Sequence, residues 1–342
     1  MRSKVFFLSS TWVIIVLKAI ENRKCYVRKE RYYMAFLMSV YGAAAQGLTW
    51  AILALGVYIT FRILDFPDMT CEGSFALGGS ISTTFMIHLH WNPFVTLIVS
   101  VLAGMAAGLI TGLLHTKLKI PAILAGILTM VALYSVNLRI MGQANTALVN
   151  QKTVVSIVKG WFPSAKELGI KDITLQTSVI LLMGLVFTIF VIILLYWFFG
   201  TELGCCVRAT GNNAAMVRAQ GVNTDGMKIL GLVLSNGLIA LSGALVAHSQ
   251  GYADVNMGVG AIVIGLASIV IGEVIFMRAK HFAFKLLTIA LGSVIYRIII
   301  TCVLQLGLNA NDLRLLTAIV VATALSIPVF FKKKTTVRKE VR

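Results

Sequence analysis

What this sequence has least of is charge, and acidic charge above all. Its 342 residues include 13 Asp and Glu against 30 Lys and Arg, and charged residues together make up 13%. A soluble globular chain carries about a quarter. Hydrophobic residues reach 58%, and the mean hydropathy is +0.89. Several apolar runs exceed the ~20 residues that cross a bilayer, which excludes a soluble fold with one large core and indicates a polytopic membrane protein. Five cysteines, two of them adjacent at Cys205-Cys206, lack metal-ligand spacing and read as reduced thiols in a cytoplasmic loop.

Signatures of catalysis are missing as well. There is no G-x-x-x-x-G-K-[ST] phosphate loop, so the chain by itself does not bind ATP in that manner. Neither H-E-x-x-H nor G-x-S-x-G occurs. His88 and His90 stand two apart, which sends their side chains to opposite sides of a helix and makes a poor metal pair. His115, His248 and His281 stand alone, and no intramembrane Lys–carboxylate or His–carboxylate group points to chemistry. The expectation is a chain with no metal, no cofactor and no enzymatic activity of its own.

The net charge of +17 is concentrated at the termini. Residues 1–33 hold eight Lys/Arg and two Glu, and residues 332–342 hold six Lys/Arg and one Glu, so +11 of the total lies there. Basic segments flanking spans mark cytoplasmic sides. No basic domain interleaved with aromatics lies outside the membrane, which argues against nucleic acid as a partner. Residues 1–33 fit three readings: an extra helix, a signal-like segment, or a start placed too far upstream. The apolar run Phe6 to Ile20 is short for a span, contains Lys18, and is followed by no small-residue cleavage site. The favoured organisation is a disordered or non-native extension at 1–33, a transmembrane domain at 34–331 and a basic cytoplasmic tail at 332–342.

Apolar segments at about 40–61, 75–88, 94–114, 121–141, 175–199, 227–250, 258–277, 286–306 and 313–331 give an all-α fold of eight to nine transmembrane helices. With 115–120, 200–228, 278–285 and the C-terminal tail inside, those segments carry 2, 3, 3 and 6 basic residues. The other side then has none at 88–93 or 251–257, four at 142–174 and one at 307–314. This places the C-terminus in the cytoplasm, although the first span then starts outside, beside the basic 18–31 stretch. In the 94–114 span, Gly104, Gly108 and Gly112 repeat every four residues and present one face for close helix packing.

Two interruptions stand out. After the first span come Arg62, Asp65, Pro67, Asp68, Thr70, Glu72 and Gly73. Two readings are open: a helix broken at membrane depth, lining a pathway, or an ordinary aqueous loop. A weak internal echo relates Asp68…Gly73-x-x-x-x-Gly78 to Asp254…Gly260-x-x-x-x-Gly265, each with an acid before paired glycines opening an apolar segment. Asp65, Asp68, Glu72, Gly73 and Asp254 are thus the candidate pathway or broken-helix residues. The second interruption is the polar, Ala-containing island from Glu202 to Gly221, between the 175–199 and 227–250 spans.

That island reads Gly204 to Arg208-Ala209-Thr210-Gly211-Asn212, then Ala219-x-Gly221-Val222-Asn223. With Leu241-Ser242-Gly243-Ala244 and Gly258-x-Gly260…Ile271-Gly272, it resembles permease subunits of ABC importers, in the branch of branched-chain amino acid and ribose-type permeases, over roughly 40–330. Glu273 departs from the glycine usual there. Thr60 to Asp68 followed by Gly73-Ser74-Phe75 looks closest to amino-acid uptake permeases, aromatic ones among them. The resemblance implies a fold like type II ABC importer permeases in the cell membrane. It implies that Glu202, Arg208, Ala209, Gly211, Asn212 and Gly221 belong to a coupling helix seated on a cytoplasmic ATP-binding subunit. The partners implied are a pair of such ATPase subunits, a second permease copy or a related permease, an extracytoplasmic substrate-binding protein and the lipid bilayer. A sugar permease of the ribose type is the alternative. A self-sufficient secondary transporter leaves the 208–221 island unexplained, and an intramembrane enzyme lacks its constellation.

Overall fold

A computed structural model describes residues 29–276 apart from 150, 164–166, 168 and 170, then residues 281–305 and scattered positions between 315 and 323. The chain divides into two compact units, Met1–Ser39 and Val40–Arg342. Of the first, only the helical stretch from Lys29 is described. Most of the expected extension, the last expected span and the basic tail lie outside the described residues.

The helices are α1 (Lys29–Tyr58), α2 (Thr70–His88), α3 (Pro93–Thr116), α4 (Ala122–Met141), α5 (Val154–Gly160), α6 (Asp172–Gly200), α7 (Glu202–Asn212), α8 (Ala214–Ala219), α9 (Thr224–Gln250), α10 (Ala261–Ile275) and α11 (Phe282–Gln305). Two short antiparallel strands, β1 (Asn145–Ala147) and β2 (Tyr252–Asp254), pair with Thr146 opposite Ala253. Six segments among the described residues are long and apolar enough to cross a membrane: Phe36–Ile63, α3, α4, α6, α9 and α11. The protein is a multi-pass, all-α membrane protein. α2, with 19 residues and a polar composition, and α10, apolar but only 15 residues long, pack among these spans without meeting both conditions.

α9 is the central post. Asn223 caps it by accepting from the Asp225 and Gly226 N–H groups, and Gly251 closes it in the left-handed region at φ 79°. Helices in lipid gain little from apolar contact alone, so close approach and polar contacts hold them together. α3 lies against α9 along its glycine face: a Cβ on Gly104 would sit 2.4 Å from the Asn236 carbonyl oxygen, and one on Gly108 2.4 Å from that of Leu232. A Cβ on Gly112 would meet Ile229 at 3.0 Å. On its other sides, Ser235 donates to the Gly56 carbonyl at 2.8 Å, Ser242 donates to that of Thr49 at 2.8 Å, and His248 bonds Ser82 of α2 at 2.8 Å.

α2 does not start at a membrane face. Ser74 in its first turn donates to Asn236 Oδ1 at 2.7 Å. Asn236 lies about 18 Å along α9 from Thr224 at 1.5 Å per residue, near the middle of that helix. From there α2 runs beside α9 towards the Gln250 end, where Ser82 meets His248. α10 starts at the same level. Gly258 packs on the Glu72 carbonyl, where an added Cβ would stand 1.9 Å from the oxygen. The Gly260 N–H donates to Glu72 Oε1 at 2.9 Å. α10 then runs the opposite way, passing Val57 at Gly265 and reaching Arg62 at Glu273. With 15 residues, α10 is little more than half as long as the 27-residue α9, whereas α2 has 19. Of the sequence echo, Gly73 and Gly78 lie in α2, and Gly260 and Gly265 lie at and just after the start of α10.

Contacts sort the connections into two ends. At one end are the α1 terminus, the α3–α4 turn (Lys119 to Asp225 at 3.8 Å), the α6–α9 island and the start of α11 (Phe282 against Phe199 at 5.3 Å between centroids). At the other are the α2–α3 turn, the β1–β2 pair, the 251–257 link and α5, whose Val154 N–H donates to His248 Nδ1 at 3.4 Å. The 142–174 stretch is thus partly folded back onto the end of α9.

Candidate functional site

The island folds as two short helices because each start carries a side-chain cap. Thr201 Oγ1 accepts from the Gly204 N–H at 3.3 Å to open α7, and Asn213 Oδ1 accepts from the Met216 N–H at 3.0 Å to open α8. Gly221, at φ 85°, turns the chain towards α9. In α7, Gly204, Val207 and Thr210 are buried at three-residue spacing, while Glu202, Leu203, Cys205, Arg208 and Asn212 face outward. Leu203 and Met216 are 53% and 54% exposed, so the outer face mixes apolar and polar groups. Ala209 and Gly211 lie between the two faces, half-buried.

The inner face of α7 is pressed on the end of α1. A Cβ on Gly211 would stand 1.9 Å from the Ile63 carbonyl oxygen, so only glycine fits. Here α1 ends in a π-helical turn, Ile59–Ile63, with the Leu64 N–H donating to Ile59 O at 2.9 Å and the Phe66 N–H donating to Thr60 O at 2.9 Å. Such turns often mark functional positions. Asp65 follows at φ 53°, a conformation that aspartate tolerates better than most residues. Arg208 lies 5.2 Å from the Phe282 ring centroid and, with Tyr58, Arg62 and Asp65, lines a cavity of about 460 Å³.

From Asp65 the chain turns inward. Leu64, Phe66 and Asp68 are buried, so this link does not lie as an exposed loop. Asp68 Oδ1 accepts from the Thr70 N–H at 2.9 Å, and Oδ2 accepts from Asn236 Nδ2 at 2.7 Å. Asn236 Nδ2 also donates to the Leu232 carbonyl at 3.0 Å. With Ser74 on its Oδ1, the Asn236 amide is fully engaged, as a buried amide has to be. Thr70 and Thr111 lie 2.7 Å apart, and Thr111 bonds Thr129 at 2.9 Å, which ties the start of α2 to α3 and α4. One contact chain thus runs from Gly211 through Ile63 and the 64–69 link to Asp68 and the middle of α9.

Of the other sequence-stated candidates, Glu72 and Gly73 lie at the meeting of α2 and α10, beside a cavity between α2 and α4. Asp254 is not with them. It sits in β2, accepts from the Asn256 N–H at 2.6 Å, and lines a separate cavity of about 320 Å³ with Trp50, Phe75 and Tyr252. The sequence reading missed Asn236 and Asn137, which are single amides in apolar helices with no motif around them. It also left Glu273 unexplained: both of its oxygens accept from Arg62, through Nε at 3.2 Å and through Nη2. A carboxylate in place of glycine there clasps the end of α1 to the end of α10.

Residues 39–325 match the family model of the branched-chain amino acid transport system permease component. The chain belongs to this family. It is therefore a transport permease of ABC type. It is 42% identical over 292 residues to a tyrosine transport system permease protein of Clostridioides difficile, covering 85% of this chain and 91% of that one. It is 27% identical over 206 residues to the ribose import permease protein RbsC of Escherichia coli, covering 60% and 57%. The Arg62–Glu273 clasp and the Asp68–Asn236 bond are read from this chain's own geometry.

Proposed function

We propose that this permease carries an amino acid across the cell membrane, with an aromatic amino acid the favoured class, and that a separate ATP-binding subunit pair drives it. The observation that carries the coupling half of this reading is the α7–α8 island. It is a helical pair on the basic end of the molecule, fixed by Gly211 to the end of α1, with an outward face that mixes Leu203 and Met216 with Arg208 and Glu202. Such a face suits docking of a protein subunit. The end bearing the island is then cytoplasmic, and the β1–β2 end receives substrate from an extracytoplasmic binding protein. Two permease copies, or this chain and a related one, enclose the pathway.

Motion of a docked ATPase would pass from α7 to Ile63, then through the 64–69 link to Asp68 and Asn236, where α2 starts. The substrate class rests on the relatives: the tyrosine permease matches at higher identity and over far more of its length than the ribose permease. Reconstitution with an ATP-binding subunit and a substrate-binding protein from the same source tests both parts. ATP-dependent uptake of tyrosine, lost in Arg208→Glu without loss of membrane insertion, is expected. Uptake of ribose instead of amino acids would overturn the substrate class, and uptake without any ATPase would overturn the coupling.

A further inference from the structure

The meeting point of α2 and α10 has a chemical asymmetry. Beside it lies a cavity of about 280 Å³, walled by Met130, Val131, Tyr134 and Val259 and bearing two further polar side chains, Glu72 and Asn137. Glu72 Oε1 accepts the Gly260 N–H, while Oε2 has no donor among the described residues. Asn137 uses its Nδ2 to donate to the Gly73 carbonyl at 3.3 Å, and its Oδ1 is buried with no partner. A buried acceptor without a donor, such as Asn137 Oδ1, is rare, and an acid such as the half-buried Glu72 among membrane helices is normally paired. Among the described residues no Lys, Arg or His forms an ion pair with Glu72.

The two groups lack donors only. A primary ammonium group fits that want, since it has three N–H donors, no acceptor and a positive charge. The exposed ring of Tyr134 adds an aromatic surface that attracts a cation or stacks on an aromatic side chain. The site also lies where the openings of α2 and α10 meet, and paired interrupted helices are where repeat-built transporters hold their cargo. We propose that this cavity is the subsite for the primary ammonium group of the transported solute, held between Glu72 and Asn137. The assignment rests on the amino-acid reading above and sharpens it to one functional group of the cargo.

Binding to the full-length detergent-solubilised protein is measured with L-tyrosine, with tyramine, which keeps the amine and lacks the carboxylate, and with 3-(4-hydroxyphenyl)propionate, which lacks the amine. Tyrosine and tyramine are expected to bind, with the des-amino acid at least tenfold weaker. Glu72→Gln keeps the acceptor for the Gly260 N–H and so keeps the local fold, yet should weaken tyramine at least tenfold. Asn137→Leu should do the same, with melting temperature read in parallel for both variants. The assignment is overturned if tyramine fails to bind the wild type, binds Glu72→Gln equally well, or is matched by the des-amino acid. ATP-driven uptake reports separately on the amino-acid reading. Tyramine binding that depends on Glu72, without tyrosine uptake, would sink that reading and keep the subsite. Robust tyrosine uptake with no tyramine binding would do the reverse.

Discussion

The guanidinium carbon of Arg297 lies 4.2 Å from the centroid of the Trp50 ring, and the same ring packs on Phe75 at 4.9 Å. Arg297 Nε is buried with no hydrogen-bond partner, so the indole face is the main electrostatic support of this cation among the described residues. A desolvated cation over an indole gains about 2 kcal/mol.

Trp50→Leu should therefore lower stability by about 2 kcal/mol beyond the loss of ring packing. Arg297→Met alone should cost less, because it also removes a buried charge. In the double variant the penalties should not add. Detergent melting of all four proteins closes the cycle, and strict additivity would show that ring and guanidinium do not interact.

Gly108→Leu places a side chain where the Leu232 carbonyl already stands 2.4 Å from a bare Cβ position. Overpacking typically costs about 1–3 kcal/mol, and α9 at this point is backbone, which yields less than a side chain. A clear fall in melting temperature and in uptake is expected, with Gly108→Ala milder. A Gly108→Leu protein that melts with the wild type would mean that α3 and α9 do not approach at this point.

Asp68→Ala leaves the Asn236 amide and the Thr70 N–H without their acceptor in a buried setting, a loss of about 1–3 kcal/mol per orphaned group. If Asp68 links the island to the middle of α9, ATP hydrolysis in the reconstituted complex should persist while uptake falls. Asp68→Asn, which retains one acceptor oxygen, should be intermediate. Equal losses of hydrolysis and uptake would mark Asp68 as a stability residue alone.

A chain beginning at Met34 should insert and transport as the full chain does, since the family match starts at residue 39. Membrane fractionation and uptake check this. Failure to insert would show that residues 1–33 form part of the working protein.

Much of this molecule was legible because membrane helices are long and glycine patterns are local. The four-residue repeat of Gly104, Gly108 and Gly112 names a face, and that face lies on α9. The island was visible as polarity between two apolar runs. The depth of α2 was not, because Asp68 and Glu72 read equally well as loop acids until Asn236, 168 residues away from Asp68, supplies a partner. Arg62–Glu273 has the same character: two charges 211 residues apart give no periodic signal. The converse holds for Asp254, whose spacing echoes that of Asp68 although it lies in β2, on a cavity separate from Glu72.

The place of Glu72, where α2 and α10 open against each other, has an electrical consequence. An elementary charge crossing a membrane at 100 mV exchanges about 2.3 kcal/mol with the field. A cation held at mid-depth has traversed about half of that drop, so a potential of 100 mV tilts its occupancy by about 1.2 kcal/mol, roughly sevenfold. Loading of the site by a cationic solute should then rise with an interior-negative potential even when ATP is absent, and a zwitterion, whose two charges straddle that level, should be nearly indifferent to it.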